Sequence, residues 1–317
     1  MPIYKNTNNK LVAIKEQKVA LESDLQKLTE QNLEAVFGLT FVSGSLNKQF
    51  SVRVNEQDFY LDTLAFDKSK NSFVIIEYKK DKSFSVIDQG FAYLSAMLNN
   101  QAAFVLELNE RLNKSYARKD INWEESRIIF ISNEFTIYQR NAINFKDLPM
   151  YLYEARFYDN GLVEYDPIKP YRTSESIRKI SKDKIIQSVT NQVKVYTLDD
   201  SFAPNWSDSR ELFEQLQEKI LKLGFGINEN ITKHYIAYKA LKNGQSYNFA
   251  EVVPQANSLK VHLDIPKKEL QDDKNISEDV SHVGHWATGN TKFSLGDIDD
   301  LDYAVKLIKQ SYGKLTI

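Results

Sequence analysis

The chain contains no cysteine. That absence excludes a disulfide framework, thiolate zinc sites, iron–sulfur clusters and thiol nucleophiles together. Histidine is nearly as scarce: all four (His234, His262, His282 and His285) fall late in the chain, so its first two thirds has no imidazole for acid–base chemistry. No apolar run approaches the ~18 residues needed to span a bilayer. The stretch Met1–Lys18 is polar and lysine-rich, without the apolar region of a signal peptide. An excess of one charge is missing too, since 41 Lys and Arg against 43 Asp and Glu leave a net charge of −2. There is thus no global pull toward nucleic acid, although a local basic face suffices for an enzyme that acts on it. These absences predict a cytoplasmic protein with no membrane partner.

What is present is a globular composition, 42% hydrophobic and 26% charged over 317 residues, enough for two domains. Val19, Leu21, Leu25, Leu28, Leu33 and Val36 recur at helical spacing and predict an amphipathic helix over Lys15–Phe37, ended by Gly38. Short β-branched and aromatic stretches follow: Leu39–Val42, Phe50–Val54, Phe59–Phe66 and Phe73–Tyr78. The run Ser72–Ile76 is nearly continuously apolar, as in a central strand covered on both faces. A second helix is expected from Ser85 to Asn99, then a polar stretch over Asn109–Glu125, a strand at Arg127–Ser132, and a helix end with a further strand within Phe145–Phe157. This order predicts an α/β domain over residues 1–166, a mixed sheet flanked by helices. Residues 167–195, carrying Arg172, Arg178, Lys179, Lys182 and Lys184, read as a basic linker, with a phosphate-contacting strap as the sharper reading. A second, smaller α+β domain is expected over 196–317. In it Asp208 or Ser209 caps a helix ended by Gly224, and strands lie near Tyr235–Leu241, Asn248–Val253, Ser258–Asp264 and Lys292–Leu295. A last helix is led by Asp297, Asp299, Asp300 and Asp302, which suit its dipole.

The chemistry concentrates in Tyr60-Leu61-Asp62-Thr63 and Ile76-Glu77-Tyr78-Lys79. Side chains alternate along a strand, so Glu77 and Lys79 share a face about 7 Å apart. If the two segments pair, Asp62 joins them. Hard carboxylate oxygens suit Mg²⁺, which polarises a phosphate and acidifies a bound water, and a lysine offsets developing charge. The bland alternative is an ordinary charged strand end.

Asp62 followed by Glu77-Tyr78-Lys79 resembles the D…(D/E)-x-K core of the PD-(D/E)XK, or restriction-endonuclease-like, nucleases. Gln89-Gly90-Phe91-Ala92-Tyr93 is similar to the Q-x-x-x-Y element of RecB-like members. Leu61 stands where the family names a proline. The resemblance implies a restriction-endonuclease-like fold and a Mg²⁺- or Mn²⁺-dependent nuclease, more readily of DNA than of RNA. Asp62 and Glu77 would be the metal ligands and Lys79 would act at the attacking water. Glu34, in preference to Glu30, would be an auxiliary acid on the preceding helix, with Gln89 and Tyr93 as orienting residues. A homodimer is consistent with relatives that cut both strands. The rival expectation is a non-catalytic nucleic-acid-binding or regulatory module on the same fold.

The chain as a whole also resembles bacterial proteins that join such a domain to one of unknown function, some labelled predicted transport proteins. In the second unit Asp279–Trp286 is the most distinctive stretch. His282 and His285 at i, i+3 could share a helical face as metal ligands, though no third ligand is evident; Trp286, His285 and Lys292 could line a base-stacking groove. Otherwise the unit is a protein-interaction or dimerisation module.

Overall fold

The computed structural model describes residues 3–17, 22–54, 57–79, 85–145, 147–170, 175–284 and 287–316. The chain forms two compact units, Met1–Val195 and Tyr196–Ile317.

The first unit opens with a hairpin of β1 (Ile3–Thr7) and β2 (Lys10–Ile14), turned by Asn8 and Asn9, both at positive φ. Next, β3 (Glu16–Gln17) is extended where the spacing predicts helix; Val19 and Leu21 lie outside the described residues. The predicted helix is also two pieces, α1 (Glu22–Gln31) and α2 (Leu33–Phe37). Asn32 divides them. Its side chain donates to the Leu28 carbonyl at 2.8 Å, a local bond that competes with the helical one. Gly38 then ends α2 at φ 65°, in the left-handed region that favours glycine.

The strands β4 (Thr40–Ser43), β5 (Ser51–Val54), β6 (Gln57–Tyr60), β7 (Thr63–Asp67) and β8 (Ser72–Lys79) follow. The single strand expected over Phe59–Phe66 is therefore broken at Leu61–Asp62. β5 and β6 form a separate hairpin, and buried Leu61 carries the chain from it into the main sheet. After α3 (Val86–Asn99), capped by Ser85, comes α4 (Gln101–Leu112). This helix enters the stretch read as polar because Phe104, Val105 and Leu108 recur at helical spacing and are buried. β9 (Arg127–Ser132), α5 (Ile137–Ala142), β10 (Met150–Tyr158) and β11 (Val163–Pro167) complete the sheet. Its order is β11-β10-β9-β8-β7-β4, with β8, β9 and β10 mutually parallel and the remaining pairs antiparallel.

Both faces of this mixed sheet are covered. Leu64, Phe66, Phe73 and Ile75 pack with Phe91 and Leu94 of α3 and Phe104 of α4. On the other face Ala65, Val74, Ile76 and Tyr78 pack with Leu25 of α1 and Leu33 of α2. Of β8 only Lys79 escapes full burial, which is why its sequence is so nearly apolar throughout.

Residues 167–195 are part of this unit and not a linker. They form α6 (Ile177–Ile180) and α7 (Lys184–Gln192), and Ile177, Val189 and Val193 are buried in the same core as Phe91 and Leu94. Arg178, Lys179, Lys182 and Lys184 are exposed, Arg172 lies outside the described residues, and the basic run masks the apolar stripe between its charges. Val189→Asp should therefore lower the stability of this unit by about 3–4 kcal/mol, since it buries a charge in an apolar site. Lys182→Asp should stay within ~0.5 kcal/mol. Urea unfolding of the full chain checks both, and equal effects would contradict the packing described.

The second unit comprises α8 (Leu198–Ser201), α9 (Ser207–Leu221), β12 (Asn228–Ile231), β13 (Ile236–Lys242), β14 (Gln245–Pro254), β15 (Leu259–Leu263), β16 (Glu278–Asp279), β17 (Thr291–Leu295) and α10 (Leu301–Thr316). Its antiparallel sheet runs β12-β13-β14-β15-β17-β16. Phe213 and Leu216 of α9 and Leu307 and Ile308 of α10 pack on Tyr238, Val252, Val261 and Phe293. Asp208 and Ser209 lie inside the first turn of α9, whose N-cap position is Trp206.

Candidate active site

The break at Leu61–Asp62 is what builds the site. β7 and β8 pair antiparallel, with Thr63 opposite Ile76 as the last register pair. One residue further, Asp62 has left the strand and stands beside Glu77. Its backbone N–H donates to Glu77 Oε1 at 3.2 Å, while its own carboxylate accepts from the Tyr78 N–H at 3.1 Å. Lys79 Nζ lies 3.4 Å from Glu77 Oε2. The structure thus gathers Asp62, Glu77 and Lys79 at the carboxyl end of β8.

Glu77 is only 1% exposed. Burial, and then the charge of Asp62, push its carboxyl up from 4.5 to about 8, against a smaller opposing pull from Lys79. One ammonium only partly offsets two adjacent carboxylates.

The acidic residue on the preceding helix is a different matter. Glu34 sits on α2, beyond the break at Asn32, half-buried, with its carbonyl accepting from Gly38 N–H. Glu30 is the one that reaches the strands. Its Oε1 accepts from Thr63 Oγ1 (2.6 Å), Gln26 Nε2 (2.9 Å) and Ser45 N (3.0 Å), and its Oε2 from Ser45 Oγ (2.6 Å) and Leu46 N (3.0 Å). Thr63 and Tyr78 face α1, whereas Glu77 alternates to the α3 face, so Glu30 and Glu77 lie on opposite faces of the sheet. Glu30 acts on the site through Gln26, whose Nε2 also donates to the Asp62 carbonyl at 2.8 Å. Gln26 escapes a reading based on the catalytic motif; its signal is the i, i+4 spacing to Glu30. Gly44 is similarly silent in sequence, yet a Cβ there would lie 2.2 Å from Glu30 Oε1 and 3.0 Å from the Asp62 carbonyl.

From α3, Tyr93 brings its hydroxyl to 3.4 Å from the Tyr60 carbonyl. Burial, followed by the charges of Glu77 and Asp62, holds that hydroxyl's pKa above its ordinary range, and Glu77 and Gln89 both lie against it. Gln89 Oε1 is buried without a hydrogen-bond donor among the described residues.

In the second unit His282 is not in a helix. Ser281 and His282 form a turn after β16, and His285 and Trp286 lie outside the described residues. Lys292 instead pairs with Glu278 at 3.0 Å. Buried Glu251 accepts from Thr288 N (2.6 Å) and Gly289 N (3.2 Å), which ties the end of this loop to β14. Among the described residues, no three or more His, Asp or Glu converge as a metal cage in either unit.

A protein of Haemophilus influenzae (strain Rd), itself described as uncharacterized, is 36% identical to this chain over 312 residues, 98% of the chain and 99% of that protein. The chain belongs to its family. The likeness runs through both units of the chain. The model of a domain of unknown function, DUF5655, matches residues 198–314, which takes in the sheet and both long helices of the second unit. No solved structure matches the chain. No helix among the described residues is long and apolar enough to cross a membrane.

Proposed function

We propose that the N-terminal unit is a metal-dependent nuclease of the PD-(D/E)XK type, hydrolysing DNA phosphodiester bonds on a restriction-endonuclease-like sheet. The observation that carries this reading is Asp62 packed against buried Glu77, with Lys79 at 3.4 Å, where a mixed sheet ends. The donor set fits a divalent cation: hard oxygens from Asp62 and Glu77 meet at one end of the sheet, and burial, then the charge of Asp62, push the Glu77 carboxyl up to about 8. Asp62 and Glu77 would hold Mg²⁺ or Mn²⁺, which supplies Lewis-acid stabilisation of the phosphate and a more acidic water.

The chain's own residues contribute the rest. The Tyr78 N–H orients the Asp62 carboxylate. Lys79 offers a hydrogen bond that orients the attacking water and positive charge to the charge growing on the phosphate. Tyr93 stands beside Glu77 from α3, and Gln89 stands beside Tyr93. Glu30, saturated by five donors, positions Asp62 and ligates nothing.

The test is incubation of plasmid, linear and single-stranded DNA with the full chain and Mg²⁺ or Mn²⁺. Asp62→Ala and Lys79→Ala should each lower cutting by roughly 10²–10³-fold, the scale for removing one charge-stabilising group. Cutting that survives both substitutions overturns the site. Metal-independent binding with no cutting would leave a nucleic-acid-binding module on the same fold.

A further inference from the structure

The β1–β2 hairpin buries almost nothing. Every residue from Tyr4 to Ala13 is exposed, and the large side chains Tyr4, Leu11 and Val12 are 51%, 69% and 55% accessible. An isolated two-stranded hairpin is marginal in water, so this one stands to gain order from a partner. Its composition says what. Residues 3–15 carry Lys5, Lys10 and Lys15 and no acidic residue.

Its placement is set by register. Lys79 of β8 is level with Ser132 of β9, and Ser132 with Glu154 of β10. Beyond Glu154, Phe157 pairs with Val163 of β11 on one edge and with Gln17 of β3 on the other. A strand has two edges, so β3 occupies the line that β9 vacates. Gln17 therefore lies about 10 Å past the level of Lys79, one strand spacing from the line of β8. Lys15 is fastened there: its N–H donates to Asp159 Oδ1 at 3.2 Å and its carbonyl accepts from Asp159 N–H at 2.9 Å. Because β3 runs antiparallel to β10, the residues before it lie beyond the carboxyl end of the sheet, the end where Glu77 and Lys79 stand.

The geometry points to a substrate-engaging arm: the Ile3–Ile14 hairpin and Lys15 contact the phosphates of duplex DNA presented to the Asp62–Glu77–Lys79 end of the sheet. This rests on the nuclease reading above for the choice of polyanion. A two-stranded ribbon fits the major groove, ~12 Å wide. A second copy of the chain is a poorer occupant, since strand pairing would bring like charges together.

The experiment measures binding of a fluorescein-labelled duplex by the full chain in EDTA over a range of salt, beside K5A/K10A/K15A. These side chains are exposed, so the variant should keep its thermal midpoint. Its affinity should fall roughly tenfold or more at moderate salt, and the slope of log affinity against log salt should drop by about 2–3, near 0.9 for each phosphate no longer neutralised. With metal added, cutting at saturating DNA should be retained. Unchanged affinity and slope would overturn the arm while leaving the nuclease reading intact. Weakened binding beside a wild type that never cuts would support the arm and overturn the nuclease. A dimer seen in sedimentation and absent in the variant, with DNA binding unchanged, would assign the hairpin to self-association and overturn the proposal.

Discussion

Replacing Glu77 by glutamine should stabilise the metal-free protein by roughly 2–4 kcal/mol above pH 8 while abolishing metal-dependent cutting. The carboxyl titrates near 4.5 in an ordinary setting and near 8 in the fold, so between those values the native state holds a proton that the unfolded chain has released. Stability of the wild type then falls as pH rises through that window, by up to ~1.4 kcal/mol per pH unit, and levels off above about 8. Glutamine has the shape of the neutral acid and carries no such dependence. The difference between the two proteins should be small at pH 5 and largest in mildly alkaline buffer. Urea titrations of both proteins across pH in EDTA measure it directly, and parallel pH curves would refute the assignment of Glu77 as a buried, strained carboxyl. Mn²⁺ adds an arm that does not depend on activity. It should raise the wild-type thermal midpoint above pH 8 and leave that of Glu77→Gln nearly unmoved, because a cation relieves only a carboxylate that is present.

The second large effect is expected at Glu30. Five donors converge on its carboxylate from α1, the Gly44–Leu46 turn and Thr63. Glu30→Ala strands most of them in a buried site and should cost about 3–4 kcal/mol. Glu30→Gln keeps the volume but turns an amide N–H₂ toward the N–H of Leu46 or those of Gln26 and Ser45, which only donate, so it should recover about half of the loss. Gly44 enforces the close approach, leaving no room for the turn to shift inward. If Glu30 were a metal ligand, Glu30→Gln would abolish cutting with little loss of stability. The geometry here predicts the reverse order, stability first, with the rate falling only as far as Asp62 loses its support through Gln26. Chemical denaturation and cutting rates on the same two variants separate these outcomes.

Much of the main sheet is readable in the residues. The apolar run Ser72–Ile76 announces a strand covered on both faces, and Arg127–Ser132 has the same ends in sequence pattern and in structure. Gly38 ends its helix because the left-handed conformation there suits a residue without a Cβ. Other features resist reading for identifiable reasons. Asn32 is an ordinary residue within an apolar periodicity, yet the helix breaks there, where its N–H donates to the Thr29 carbonyl and its side chain to that of Leu28, and the break separates Glu34 from Glu30. The charges of Arg178, Lys179, Lys182 and Lys184 hide the buried stripe of Ile177, Val189 and Val193, so a packed segment reads as a connector. The break at Leu61–Asp62 is hard to place from sequence, since Phe59 and Tyr60 before it and Thr63 after it all favour strands.

The sequence by itself removed thiol and imidazole chemistry from the first unit, which has neither cysteine nor histidine. It also determined that Glu77 and Lys79 share a face, because strand periodicity is local. Tertiary structure alone decided that Asp62 stands beside Glu77, that Glu30 is a clamp on the opposite face, and that the basic hairpin leaves the sheet at the site's end. Those pairings join residues 15 to 144 positions apart, set by register and by which strand occupies which edge, and no local pattern encodes them.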